Sequence, residues 1–196
     1  VSFVVGWAVT LSVATYTPFA ARALGYGQAE IGLLFSSASI TALGCNVLLL
    51  PRLVRLLPGA ELGVCAFGLL LLSACLVGCA LVRSSGLHFA FFVLRGAGVA
   101  LTDTTVAALI ARFSSPTTKA LNLGLSSSVQ AGARLVAPIV SGYLLDRSFG
   151  GVGPGPPGSL PFLLLAATSA LAAAVPLALH RLGARAGAPQ TAAPAD

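Results

Sequence analysis

Two long stretches of this chain contain almost no strong polar side chains between their ends, and they limit what it can fold into. Residues 62–82 read LGVCAFGLLLLSACLVGCALV, and residues 162–182 read FLLLAATSALAAAVPLALHRL. About 20 consecutive apolar residues in a helix span the hydrocarbon core of a bilayer. Charged residues make up only 8% of the chain, against about 25% in an ordinary globular domain. We therefore predict an all-α membrane protein.

Charges, glycines and prolines divide the chain into six transmembrane helices. We place these at about 2–24, 31–57, 62–82, 89–113, 121–145 and 162–182. The fifth has the lowest hydropathy, and we retain it because Lys119 and Asp146 bracket a span of the right length. Residues 1–183 then form one six-helix unit, followed by a disordered tail at 184–196. Because the chain begins at Val1 and contains no Met, we expect a fragment or a processed chain.

The basic residues indicate membrane topology rather than a nucleic-acid surface. The net charge is +6, but the eleven Lys and Arg residues are scattered at segment ends, without a basic patch or interleaved aromatic residues. Loops with an excess of Lys and Arg stay in the cytoplasm. One side carries Arg52, Arg55, Arg112, Lys119, Arg181 and Arg185, and the other carries Arg22, Arg83 and Arg147. The first side, which includes the C-terminal tail, is therefore predicted to be cytoplasmic.

The cysteines and histidines do not indicate a metal site, a cofactor or an enzyme. The four cysteines lie inside apolar segments, where they are typical of small packing residues; they are Cys45, Cys65, Cys75 and Cys79. His88 and His180 lie at segment ends, as interface residues do. An intramembrane protease is excluded because neither histidine faces a serine at membrane depth.

Polar residues are concentrated in four of the six spans. The first, second, fourth and fifth spans contain threonines, serines and amides, and three charged residues lie away from the span ends, whereas the third and sixth spans are almost wholly apolar; the three are Arg95, Asp103 and Arg134. A charge at the centre of a bilayer costs on the order of several kcal/mol, so such a residue normally faces a cavity or a partner. Four polar helices braced by two apolar ones predict a bundle around a polar path.

Asp103 and Arg134 are the strongest candidates for that path. They lie some fifteen and sixteen residues from the turn at 116–119, so at about 1.5 Å per residue they reach the same depth. On adjacent antiparallel helices they would meet near the bilayer midplane. Two interpretations stand: a pair that responds to protons or cations, or a permanent ion pair that only fixes helix packing. We also place Gln130 on the path.

Arg95 and Tyr16 are weaker candidates for the path. Arg95 lies some seven residues inside the fourth span, so it either lines the path or extends to the outer membrane interface. Tyr16, among threonines and close to Pro18, is a candidate for solute contact.

The stretch LIARFSSPTTKALNLGLSSSVQAGARLVAPIVSGYLLDRSFG resembles the C-terminal half of a major facilitator superfamily transporter. The nearest branch is that of the drug:proton antiporters, which includes tetracycline-resistance-like and organic-cation-transporter-like carriers. Gly132, Pro138 and Gly142 stand where that family has its glycines and its GP..GG signature, which reads AP..SG here. The segment VLRGAGVA is similar to the arginine-plus-glycine motif of the fourth helix, with Arg95 as the arginine.

The resemblance implies a fold of twelve helices in two halves, of which this chain is the second, with the N-terminal half not present. It implies a secondary transporter of a small organic solute, cationic or amphiphilic, that works by alternating access and is coupled to protons. Gly132, Pro138 and Gly142 would provide helix packing and bending. The alternative is a non-transporting membrane scaffold or regulatory protein derived from a carrier half. It is favoured by the loop after the second span, where only Arg52, Arg55 and Gly59 match the superfamily's basic motif.

Overall fold

The computed structural model describes residues 1–56 and 61–186, with side chains as far as Arg181. This part of the chain forms seven α-helices and no strand: α1 (Ser2–Phe19), α2 (Gln28–Gly44), α3 (Leu50–Leu56), α4 (Glu61–Leu81), α5 (Ser85–Phe113), α6 (Lys119–Phe149) and α7 (Leu160–Ala186). A short π-helix at Ala20–Leu24 extends α1, and a second short π-helix at Cys45–Leu49 joins α2 to α3. The all-α class predicted from the sequence is confirmed.

Local signals explain where the first helical segment ends and the second begins. Gly25 adopts a left-handed conformation with φ of 70°, which a residue without a Cβ tolerates at a helix C-terminus. Two residues later, the Gly27 N–H donates to Oε2 of Glu30 at 2.8 Å, and α2 starts at Gln28. The carboxylate in the first turn also complements the positive end of the helix dipole.

The helices pack in a pattern that repeats between the two halves of the chain. Helix α1 packs on α6, and α5 packs correspondingly on α2. Helix α4 contacts α5, and α7 contacts α1, while α4 and α7 lie against each other. The chain therefore consists of two units of three helical segments each. In the contacts they make, α1, α2 and α4 of the first unit correspond to α5, α6 and α7 of the second, as in the internal repeats of many secondary transporters. Helices α1 and α5 occupy equivalent central places.

The seam between α1 and α5 contains an antiparallel series of side-chain contacts. Nη1 of Arg95 donates to Oγ of Ser12 at 2.8 Å, and the rings of Tyr16 and Phe92 have centroids 3.9 Å apart. One turn further, the Phe19 and His88 rings stack with centroids 5.4 Å apart. The contacting residues on each helix are spaced by three or four positions, so they share one helix face. We call these three pairs the α1–α5 seam.

The hydropathy of the helices matches a membrane protein, with one exception. Within the described residues, five helical segments are long and apolar enough to cross a membrane: Ser2–Leu24, Gln28–Leu56, Glu61–Leu81, Ser85–Phe113 and Leu160–Arg181. Helix α6 is not among them, since it carries Asn122, three consecutive serines, Gln130 and Arg134. The sequence had already marked this span as the one with the lowest hydropathy.

The long loop after α6 is attached to the bundle. Oγ of Ser148 accepts hydrogen bonds from the N–H groups of Gly158 and Leu160, at 2.9 and 3.2 Å. Nη2 of Arg83, between α4 and α5, donates to the carbonyl of Pro157 at 2.9 Å, and partial burial lowers the pKa of this guanidinium. The sequence indicated only a connecting loop here.

The predicted tail at 184–196 begins inside α7, which continues to Ala186. The remainder, 187–196, and residue 57 of the predicted second span lie outside the described residues.

Candidate functional site

A polar cleft opens between α5 and α6 at the level of Asp103. Its volume is about 340 Å³. The walls combine a carboxylate, hydroxyls and an amide with a few apolar side chains; they are Asp103, Thr104, Val106, Ala107, Leu123, Ser126, Ser127 and Gln130. A cleft that is small, partly apolar and supplied with a few convergent polar groups is typical of a small-molecule site.

Gln130 connects Asp103 and Arg134, which do not form an ion pair in the described part of the chain. Nε2 of Gln130 donates to Oδ1 of Asp103 at 3.2 Å, and Nη2 of Arg134 donates to Oε1 of Gln130 at 3.3 Å. The expected direct meeting of the two charges is therefore wrong. Depth was judged along the helix axes only, whereas Gln130 lies one turn before Arg134 on the same face of α6 and occupies the space between them.

Arg95 is buried in the α1–α5 seam and does not extend to the membrane interface. Only 5% of its surface is exposed, and its Cζ lies 4.3 Å from the centroid of the Phe92 ring. Helix α5 begins at Ser85, four residues before the predicted start, so Arg95 lies ten residues, or about 15 Å, along the helix. That depth and its orientation toward Ser12 exclude the interfacial position.

Tyr16 is fully buried and lies at the centre of an aromatic cluster with Phe19, Phe35, Phe92 and Phe162. Its Oη has no hydrogen-bond partner among the described residues. In this conformation Tyr16 is therefore closed off from the Asp103 cleft and from the surface.

Gly132, Pro138 and Gly142 all lie on the exposed side of α6. A Cβ added at Gly132 or Gly142 would meet no described atom within 4 Å, and α6 is helical through Pro138. The close contact of α6 with α1 instead involves the opposite face, where Oγ of Ser141 lies 2.7 Å from Oγ1 of Thr15. The resemblance to the family signature could not indicate which face would meet a neighbour within this chain.

Two further polar contacts were not predicted from the sequence. Oγ1 of Thr104 donates to Oδ1 of Asn46 at 2.9 Å, which connects the Asp103 region of α5 to the short π-helix between α2 and α3. His88 is fully buried three residues inside α5, and its Nδ1 lies 3.2 Å from the Val82 carbonyl, so it packs within the protein near the end of the helix. The clustering of polar residues in the second and fourth spans was the only available signal for the first contact.

No group of metal-ligating side chains occurs in the described ranges 1–56 and 61–181. The four cysteines are free, and all but Cys45 are buried. The site at Asp103 consists of a carboxylate, an amide, one guanidinium group and hydroxyls, which are groups that form hydrogen bonds and interact through charge.

The comparisons with known proteins bear on the family of the chain. A comparison with curated proteins finds no match. The family model described as Major Facilitator Superfamily matches residues 1–195, almost the whole chain. Together with the apolar helices and the internal repeat, this match identifies a multi-pass membrane protein of a transporter family. The chain belongs to the Major Facilitator Superfamily.

Proposed function

We propose that this chain is the C-terminal six-helix half of a secondary transporter of the drug:proton antiporter type. It would carry a small organic solute, cationic or amphiphilic, by alternating access and in exchange for protons. The observation that carries the proposal is the hydrogen-bonded series Asp103, Gln130 and Arg134 beside an open polar cleft.

The position of Asp103 supports a role in coupling. It lies ten residues, or about 15 Å, before the end of α5 at Phe113, which is well inside this 29-residue helix. The carboxylate is exposed to the cleft and accepts one hydrogen bond from a neutral amide. Carboxylates at such depth commonly belong to proton or substrate pathways. A proton and an organic cation would compete for this one carboxylate, and competition of that kind produces exchange.

Gln130 gives the series a direction. When Asp103 is ionised, it accepts from the amide nitrogen of Gln130, and the amide oxygen accepts from Arg134. A protonated Asp103 becomes a donor, so the amide would turn its oxygen toward Asp103 and its NH₂ group toward Arg134. Two donors would then face each other, and Arg134 would be released. Protonation of one group would thus free a cation on the neighbouring helix.

The exposed faces of α2 and α6 support a second six-helix half as the partner. Only 17% of the apolar window of Gln28–Leu56 is buried within this chain, against 56% for Glu61–Leu81. Large apolar side chains are exposed on both faces, among them Leu33, Ile40, Leu135 and Ile139. We place the C-terminal tail on the cytoplasmic side, following the distribution of Lys and Arg.

The test is ethidium transport by the full-length protein in liposomes, measured at a series of external pH values. Asp103→Asn removes the titratable group while keeping the size of the side chain, so pH dependence should disappear. Asp146→Asn is the matched control, because this exposed carboxylate lies near the end of α6 and, among the described residues, forms a salt bridge only with Arg22, at 3.5 Å. Unchanged pH dependence in Asp103→Asn would overturn the coupling role. If the unmodified protein carries no ethidium at any pH, the cationic substrate class is wrong and the scaffold alternative gains support.

A further inference from the structure

Arg95 is a buried cation without a counter-charge in the described part of the chain. The described carboxylates are all engaged elsewhere: Glu30 with the Gly27 N–H, Glu61 with Arg112, Asp103 with Gln130 and Asp146 with Arg22. None of them forms an ion pair with Arg95. An isolated charge in a low-dielectric interior is strongly unfavourable unless it is paired or fully hydrogen-bonded.

The hydrogen bonding of this guanidinium is also incomplete. Nη1 donates to Ser12, whose hydroxyl in turn donates to the Val9 carbonyl, and the Phe92 ring provides a cation–π contact. Nε is buried and has no partner within the described residues. A guanidinium has five N–H donors in a planar fork that matches a carboxylate. The protein therefore supplies a pre-positioned cation but leaves donors for another molecule.

A second cleft reaches Arg95 from the surface of the bundle. It has a volume of about 190 Å³ and lies between α1, α2 and α5. Apart from Arg95 and the Ser39 hydroxyl, its walls are apolar: Val9, Val13, Phe35, Ala38, Ala42, Gly96 and Val99. Val13 and Ser39 are exposed, so the cleft opens outward, while Arg95 lies at its inner end. Asp103 follows Arg95 by eight residues, or about 12 Å along α5, so the two sites are separate.

We propose that Arg95 binds the carboxylate of a small organic anion whose apolar part occupies this cleft. The incoming charge would neutralise the guanidinium, and the carboxylate oxygens would accept the free N–H donors. As an assignment of substrate class, this rests on the proposed transport function, and it adds a carboxylate-bearing amphiphile as a second class of solute, bound at a site separate from Asp103. As a binding site, it can be tested without transport.

The experiment is thermal unfolding of the full-length protein in detergent micelles, titrated with sodium benzoate at constant ionic strength. A ligand that binds only the folded state raises the midpoint, by about 5 °C when it is about a hundredfold above its Kd. Sodium chloride tests a simple anion, and cyclohexylammonium chloride tests a ring of similar size with the opposite charge. We expect stabilisation by benzoate alone.

Two variants localise the effect. Arg95→Gln should abolish the benzoate shift, whereas Arg22→Gln, at an exposed arginine near the end of the first helical segment, should retain it. If Arg95→Gln does not fold, Ala42→Leu decides, because it fills the cleft and leaves the guanidinium in place. A benzoate shift that survives either variant, an equal shift with chloride, or no shift in the unmodified protein would overturn the proposal. Benzoate binding without ethidium transport would overturn only the cationic transport assignment. Ethidium transport without benzoate binding would overturn only the carboxylate site.

Discussion

Glycines are placed very differently in two regions of this molecule. Where α4 meets α5, a Cβ on Gly98 would lie 2.9 Å from the carbonyl oxygen of Gly68 and 2.9 Å from the backbone nitrogen of Leu72. On α6, a Cβ on Gly124 or Gly132 would meet no described atom within 4 Å. The first region is a contact in which the backbones of α4 and α5 touch. The second is a face that the rest of this chain leaves uncovered.

This difference separates a closely packed contact from an uncovered surface. The α4–α5 contact excludes even a methyl group, so these helices cannot shift apart without losing close packing. The α6 face carries Arg134 beside exposed apolar residues such as Leu135 and Ile139. Glycine is required by close packing in the α4–α5 contact, whereas on the open face of α6 no described neighbour requires it. The predictions below test these two regions and the α1–α5 seam beside them.

The largest effect is expected for Gly98→Ala. The new Cβ would contact backbone atoms of α4 on two sides, and the backbone cannot rotate away as a flexible side chain can. Overpacking of this kind costs about 3 kcal/mol in the free energy of unfolding. The measurement is denaturant unfolding in micelles, with Gly124→Ala as the control. Equal stability of the two variants would contradict the close α4–α5 contact.

Ser12→Ala should cost about 2 kcal/mol, because it removes the acceptor of a charge-assisted hydrogen bond from a buried guanidinium. Ser39→Ala is the matched control, since the Ser39 hydroxyl is exposed and donates to a carbonyl of its own helix, that of Phe35. Unfolding of the two variants is compared under the same conditions. A smaller loss for Ser12→Ala than for the control would contradict the α1–α5 seam.

The two ion pairs provide a smaller contrast between the regions. Arg112 of α5 lies 2.6 Å from Glu61 of α4, whose side chain is 18% exposed, whereas Arg22 and Asp146 are 3.5 Å apart and both largely exposed. Arg112→Gln should therefore cost about 0.5–1 kcal/mol, less at high salt, because surface pairs are weak and screened. Arg22→Gln should leave the unfolding midpoint unchanged. A larger loss of stability for Arg22→Gln than for Arg112→Gln would contradict the assignment of Arg112–Glu61 as the stronger ion pair.

The smallest effect, and one of opposite sign, is expected for Gly132→Ala. Replacing a helical glycine that faces open space should stabilise the isolated chain by about 0.5 kcal/mol, because the unfolded chain loses conformational freedom. The same substitution in a protein that contains the proposed N-terminal half tests whether that half covers the face. Stabilisation in the isolated chain with destabilisation in the full-length protein would locate a partner on α6; destabilisation in both would show that the face is packed within this chain.

The sequence predicts the fold class well because bilayer physics acts on each segment separately. Apolar runs such as 62–82 specify a membrane helix whatever surrounds them, and even the weaker α6 is bracketed by charges. The candidate site is harder to predict because it depends on rotation about the helix axes. Asp103 and Arg134 were compared only by depth, and the insertion of Gln130 follows from the angular position of its side chain.

Arg95 illustrates a second limit of the sequence. Its distance from the predicted helix start allowed both an interfacial and an interior position. The additional turn at the start of α5, together with the hydroxyl of Ser12 on another helix, decides between them. Neither the turn nor the contact has a local signature, because SSGLH is compatible with a loop or a helix.

The antiparallel pairs of the α1–α5 seam also limit how the molecule can move. Sliding either helix by one turn, about 5.4 Å, would separate Ser12 from Arg95, Tyr16 from Phe92 and Phe19 from His88 at the same time. Because all three contacts would break at once, axial sliding of one helix along the other is unfavourable. Helices α1 and α5 are therefore expected to move as one body, and a large displacement would disturb less packing at the uncovered faces of α2 and α6.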